Sequence, residues 1–302
     1  MKARVSFVMP AWRPRAQWLL AAVRSVLDEP GCDVELLVVD DGNSEPVENM
    51  LSCVEDKHLR VIRIEHGGQC AARNAGISEA TGTYVRFVDC DDVVVHGGTA
   101  HLLALGEGGD EVISYGATEL CNEKLEPVGI LACDIQGAAE VDCLFDRVRI
   151  QTQPILFPRR VVDAAGPWDT SIDVMADWEW QLRAFEHAPV RGDRQIVYRY
   201  RRHGEGIQGH ARNQECELVH RRIIAGYFER HPEQLGGAFE RRARASPHLK
   251  YARTYLRDGH LRLSANRLVR GTLIDPRGGV TTAAALVVRQ ARRASRLRGR
   301  KV

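Results

Sequence analysis

The sequence predicts an α/β protein: a mostly parallel central sheet flanked by helices, then a helical C-terminal extension. Three observations predict it. The first hundred residues alternate β-rich apolar runs with amphipathic stretches, two of those runs end in clustered aspartates, and strand-like runs stop after about residue 212. Strand–helix alternation of this kind builds right-handed βαβ units, and therefore parallel strands.

Taken in order, "RVSFVMPAW" reads as a buried first strand and "PRAQWLLAAVRSVLDE" as a helix. In that helix Pro14 suits the first turn, and Leu19, Leu20, Val23, Val26 and Leu27 form an apolar stripe. "DVELLVVDDG" is a second strand, "EPVENMLSCVE" a helix and "HLRVIRIE" a third strand. "CAARNAGISEA" is a helix ending near Gly82, and "YVRFVDC" a fourth strand. Beyond residue 110 the pattern loosens. "EVISYGATEL", "QTQPILFP" and "RQIVYRYRRH" are strand-like, and "DWEWQLRAFEH" is a short helix. The expected organisation is a βαβ half over 1–110, a second half of the same domain over 111–211, and a basic helical extension over 212–302.

No stretch approaches the roughly 18 apolar residues a bilayer span needs. The N-terminal apolar run is too short for a signal peptide and is interrupted by Pro10, so a cytoplasmic location is expected. Eight scattered cysteines without a CxxC pair predict reduced thiols. Net charge is +2, but residues 241–302 carry +15, which leaves −13 on the first 240. The basic part lacks interleaved aromatics, so a nucleic-acid groove is not expected. Its last stretch, "VVRQARRASRLRGRKV", is either a solubilising tail or a peripheral contact with anionic lipid.

In a parallel sheet, ligands sit beyond the carboxyl ends of the strands. Two strands here end in acid, at Asp40–Asp41 and at Asp89, Asp91 and Asp92. A tight set of oxygen ligands favours a hard divalent ion such as Mg²⁺ or Mn²⁺, which in turn binds substrate phosphates. A solvated turn is the alternative for an isolated DxDD.

Together, "VSFVMPAW", "LLVVDDG", "CAARNAGISEATGTYVRFVDCDD" and "DWEWQLR" resemble a family 2 glycosyltransferase of the GT-A fold over about residues 4–205. The resemblance implies a nucleotide-diphosphate sugar donor, Mn²⁺ or Mg²⁺, and inverting transfer to the hydroxyl of a saccharide or small-molecule acceptor. It implies that Pro10 and Ala11 contact the base and that Asp41 pairs with it, with a lean to uracil because a carboxylate accepts an imide N–H. By the same resemblance Arg73 and Asn74 lie against the nucleotide, Asp89 serves ribose and metal, and Asp91 is the direct metal ligand with His203 as a further candidate. Asp92 is a ligand or a cap. Asp177 aligns with the general base, although Ala176 replaces the usual Glu before it, and Glu179 is the fallback. Trp168, Trp178 and Glu179 are candidate acceptor contacts, and Trp180 stands two positions after Trp178, a spacing that cannot share one helix face. Two alternatives stay open: a haloacid-dehalogenase-like phosphohydrolase with Asp89 as nucleophile, and a non-catalytic nucleotide-binding protein.

Overall fold

The computed structural model describes residues 3–106, 112–145, 151–204 and 213–286. The basic stretch 287–302, and residues 205–212 that follow the strand-like "RQIVYRYRRH", lie outside the described residues. The chain divides into two compact units, Met1–Gly209 and His210–Val302.

In the first unit β1 (Arg4–Ala11), α1 (Ala16–Leu27), β2 (Asp33–Asp41), α2 (Val47–Met50), β3 (Leu59–Ile64), α3 (Gly68–Glu79) and β4 (Tyr84–Phe87) follow in sequence. β1 and β2 are buried at every position but the first. That is the pattern of parallel strands covered on both faces, and it explains their unbroken apolar runs. α1 buries Leu19, Ala22, Val23 and Val26, the i, i+3, i+4, i+7 set of one face. α2 is a single turn rather than the longer helix the sequence suggested: only Val47 and Leu51 are fully buried there, Met50 and Val54 pack at the edge of the core, and a short helix without more packing is marginal. α3 lies so close to the sheet that a Cβ on Gly76 would stand 2.4 Å from Val8 Cγ1.

The remainder comprises β5 (Val93–Val94), α4 (Gly98–Gly106), β6 (Ile113–Cys121), β7 (Pro127–Leu131), α5 (Glu140–Leu144), β8 (Ile155–Pro158), α6 (Arg159–Ala165), α7 (Ala176–Phe185) and β9 (Val190–Arg201). The strand order is β3-β2-β1-β4-β8-β6-β9-β5, with β7 attached to β6. β1 to β4 run parallel, whereas β8 is antiparallel to both β4 and β6. β9 is parallel to β6, so its carboxyl end arrives at the same rim as those of β1, β2 and β4. This is the GT-A fold expected from the sequence.

The second unit contains α8 (Asn213–Arg230), α9 (Ala238–Arg257) and α10 (Leu261–Ile274). Its interior includes Ile223, Ile224, Tyr227, Phe228, Ala243, Ala252 and Tyr255. No described helix is long and apolar enough to cross a membrane. All eight cysteines are unbridged.

Candidate active site

The two acidic strand ends lie on one rim but in different surroundings. At the end of β2, Asp40 is 1% exposed. Its Oδ1 accepts the Asn43 backbone N–H (3.0 Å) and side-chain amide (2.6 Å), and its Oδ2 accepts Val47 N–H (3.1 Å) and Arg63 Nη1 (2.8 Å). Burial opposes ionisation, but these donors outweigh it and hold the carboxyl below its ordinary range. Asp41 accepts the N–H groups of Gly67 (2.8 Å) and Gly68 (3.1 Å) at the start of α3, and His66 Nδ1 lies 2.9 Å from its Oδ2. A carboxylate there complements the positive end of the α3 dipole. Gly42 is left-handed (φ 72°), and a Cβ on it would meet His66 N at 2.7 Å.

Pro10 and Ala11 are not at the surface. Both are buried inside β1, paired with Val39 and Asp40, and the Ala11 carbonyl takes the Asn43 amide at 2.8 Å. The exposed group at this strand end is Trp12 (40% exposed), whose ring stacks on His66 at 3.7 Å. The next residue, Arg13, has φ 48° and donates its N–H to Asn43 Oδ1 at 2.6 Å.

Beyond β4 the carboxylates are crowded. Oxygens of Asp89, Asp91 and Asp92 lie within 4.8 Å of one another. Asp89 accepts Gln153 Nε2 at 2.5 Å and weaker contacts from Arg73 Nη2 (3.3 Å) and Gln69 Nε2 (3.4 Å). Asp92, fully buried, accepts Arg201 N–H (2.7 Å) and Tyr198 O–H (2.9 Å), so it braces β9 rather than capping the element that follows it. Asp91, partly exposed, has His203 Nε2 at 2.8 Å from its Oδ2. Burial first, then neighbouring negative charge, raises Asp89 despite Arg73; burial with Asp91 and Asp89 pushes Asp92 well above the usual range.

The residues present fit a hard divalent cation. The donor set is all oxygen, the like charges repel without a partner between them, and buried His203 Nδ1 has no hydrogen-bond partner. Positive charge also gathers nearby. The Arg15 and Arg201 guanidiniums lie 4.1 Å and 4.7 Å from the Trp18 ring centre, and the His203 ring is 5.0 Å from it. Behind the cluster Arg86 is completely buried and donates to Gln153 O (3.2 Å), Thr99 Oγ1 (2.7 Å) and Val197 O (2.8 Å). Burial lowers its pKa to about 10, so it stays charged at neutral pH.

Asp177 is exposed in the first turn of α7, with one oxygen accepting Trp178 N–H at 2.8 Å. The helix beneath it is firmly anchored. Trp178 Nε1 donates to Cys143 O (2.8 Å), Trp180 Nε1 to Gly166 O (2.9 Å) and Gln181 Nε2 to Thr152 Oγ1 (2.8 Å). Thr152 neighbours Gln153, which holds Asp89, so one short segment serves both carboxylate positions. Met175, the cap before α7, is left-handed at φ 62°. Non-glycine residues in that conformation concentrate at functional sites; Arg13, bonded to Asn43, and Leu125 (φ 63°) share it.

Four sequence expectations change here. Trp168 is 2% exposed, stacked on Trp180 at 4.8 Å with the Arg73 guanidinium 4.3 Å away, and Trp178 is 9% exposed; neither indole face is open to an acceptor. Asn74 is occupied on both sides by the Trp168 backbone (2.8 and 2.9 Å), so it ties α3 to the 166–169 loop. Arg73 is buried against Trp168 and Asp89. Glu179 holds Arg183 through both oxygens at 2.8 Å, which leaves it poorly placed as a base. Sequence reasoning missed Trp12, Arg86, Gln153 and Arg201. A charged residue inside the apolar run "YVRFV" was a legible signal for Arg86; Gln153 and Arg201 offered none.

Residues 6–128 match the family model of glycosyl transferase family 2. An uncharacterized glycosyltransferase of Rickettsia felis is 32% identical over 156 residues, covering 51% of this chain and 25% of that protein. A PGL/p-HBAD biosynthesis glycosyltransferase of Mycobacterium bovis is 26% identical over 174 residues, covering 56% of this chain and 65% of that one. The chain thus spans about a quarter of the first relative's length and just under two thirds of the second's. The fold is that of S. aureus TarS 1–349, crystallised with UDP-GlcNAc (TM-score 0.59, 14% identity, 89% of this chain and 91% of that one).

Proposed function

We propose, from the premise that this chain is a family 2 glycosyltransferase on the GT-A fold, that it moves a sugar from a UDP-sugar to an acceptor hydroxyl with inversion, and that Mn²⁺ or Mg²⁺ is required. The observation that carries the reading is the carboxylate cluster of Asp89, Asp91 and Asp92, three acids held within 4.8 Å at a strand-end rim and incompletely compensated by protein cations. The UDP-sugar complex of the similarly folded TarS supports the choice of donor.

Asp89 and Asp91 would hold the cation, with His203 beside Asp91. When bound, the cation supplies a counter-charge for the donor diphosphate. Gln153 and Arg73 fix the Asp89 carboxylate, and Arg201 ties Asp91 and Asp92 to β9 through the Asp91 carbonyl (2.7 Å) and its own N–H. Trp12, just past β1 and 40% exposed, keeps one side of its ring on His66, which links it to Asp41, and the exposed part of the ring is where a base can stack. Asp177 takes the proton from the acceptor oxygen; its exposed position on an anchored helix suits a group that must meet an incoming hydroxyl without moving. The phosphohydrolase alternative gains no support from the relatives above.

Titration calorimetry with UDP-sugars and Mn²⁺, followed by turnover assays, tests this. Asp177→Asn is expected to bind donor as the parent does and to lose turnover by about 10²–10⁴-fold. Unchanged turnover removes Asp177 as base; absence of donor binding at any metal concentration removes the whole reading.

A further inference from the structure

On α10, Leu261, Val269 and Leu273 are 63%, 58% and 78% exposed. With exposed Ala265 they occupy positions i, i+4, i+8 and i+12, a single slanting row along the helix. Singly exposed apolar side chains are ordinary, but four in one row form a patch that marks an interaction surface. The row faces away from the interior of its unit. α10 is buried instead through Ser264 and Gly271, and Ser264 Oγ donates to Ala252 O of α9 at 2.8 Å.

A second row runs beside it. Arg262, Asn266 and Arg270, all exposed, each follow the apolar residues by one position. Beyond the break at Asp275 stand one more exposed arginine, Arg277, and one more exposed apolar residue, Val280 (66% exposed), three positions apart. α10 carries no acidic residue, and among the described residues no carboxylate pairs with Arg262, Arg270 or Arg277. The wider unit has the same sign: residues 213–286 hold 13 Lys and Arg against seven Asp and Glu.

We infer that this face of α10 docks on an anionic phospholipid surface, the apolar row entering the headgroup boundary while the arginines pair with lipid phosphates. An apolar stripe edged by unpaired guanidiniums has the chemistry of a helix lying in the plane of such an interface. A second copy of the chain is a poor occupant, because it would set one arginine row against another. The site is distinct from the basic stretch 287–302, and it stands independently of the glycosyl-transfer reading.

Flotation of the full chain with vesicles tests it, using phosphatidylethanolamine mixed with phosphatidylglycerol, and phosphatidylcholine alone. The chain is expected to float with the first and not the second. Val269→Ser with Leu273→Ser should weaken partitioning by about tenfold at an unchanged melting temperature. Arg262→Gln with Arg270→Gln should weaken it and flatten its salt dependence. Any one of three results overturns the proposal: the serine pair binds like the parent, phosphatidylcholine binds equally well, or the chain dimerises through this row.

Discussion

Asp40 and Asp41 at the end of β2 stand on the same rim as Asp89, Asp91 and Asp92 beyond β4, yet the two groups do opposite electrostatic work. Each β2 acid is saturated by donors. Asp40 takes four hydrogen bonds, and Asp41 takes two backbone N–H groups and lies against His66. The β4 acids share fewer donors and repel one another, so Asp89 and Asp92 are raised where Asp40 is lowered. A carboxylate surrounded by N–H groups builds the loop it sits in. A carboxylate left short of positive charge is poised to receive it.

The largest test of this contrast is stability. Asp40→Ala strands the Val47 N–H and the Asn43 amide in a buried setting and takes its partner from half-exposed Arg63, so chemical denaturation should show a loss of about 2–4 kcal/mol. Asp91→Ala removes a partly exposed charge from a repulsive cluster and should change stability by less than about 0.5 kcal/mol. Equal losses in the two variants would break the comparison.

Metal-linked stabilisation sharpens it. Mn²⁺ at a hundredfold excess over its Kd should stabilise the parent by about 2.7 kcal/mol in a thermal melt. Asp91→Ala should lose that gain, whereas Asp40→Asn should keep it.

The smallest effect is on the acid limb. Asp40 and Glu35 both ionise more readily in the folded chain; for Glu35 burial is outweighed by bonds from Ser6 and Thr81 and by Arg4. A lowered folded pKa contributes stability that is present above the ordinary carboxylate value of about 4 and is lost as pH falls through the folded value. Below about pH 4, stability should therefore fall less steeply in Asp40→Asn than in the parent.

Much of the rim was legible in the sequence. The β-branched runs of β1 and β2 declare strands buried on both faces, and the alternation with α1 and α3 forces them parallel, which places "VVDDG" and "FVDCDD" at one edge. The acceptor aromatics were misplaced for a definable reason. A tryptophan in sequence reads the same whether it faces solvent or packs, and Trp168 and Trp180 pack against each other and Phe87. Pro10 and Ala11 stood for a strand end whose exposed residue is one position later, at Trp12.

By itself, then, the sequence determined the element order, the parallel core and the presence of two acidic strand ends, because these follow from local periodicity and from the chirality of the connections. Only tertiary structure decided which carboxylates are satisfied. Their partners are remote: Arg63 reaches Asp40 across 23 residues, Gln153 reaches Asp89 across 64, and Arg201 reaches Asp92 across 109. Hydrogen-bond satisfaction is a property of contacts closed by the whole fold, and short-range pattern carries no trace of it.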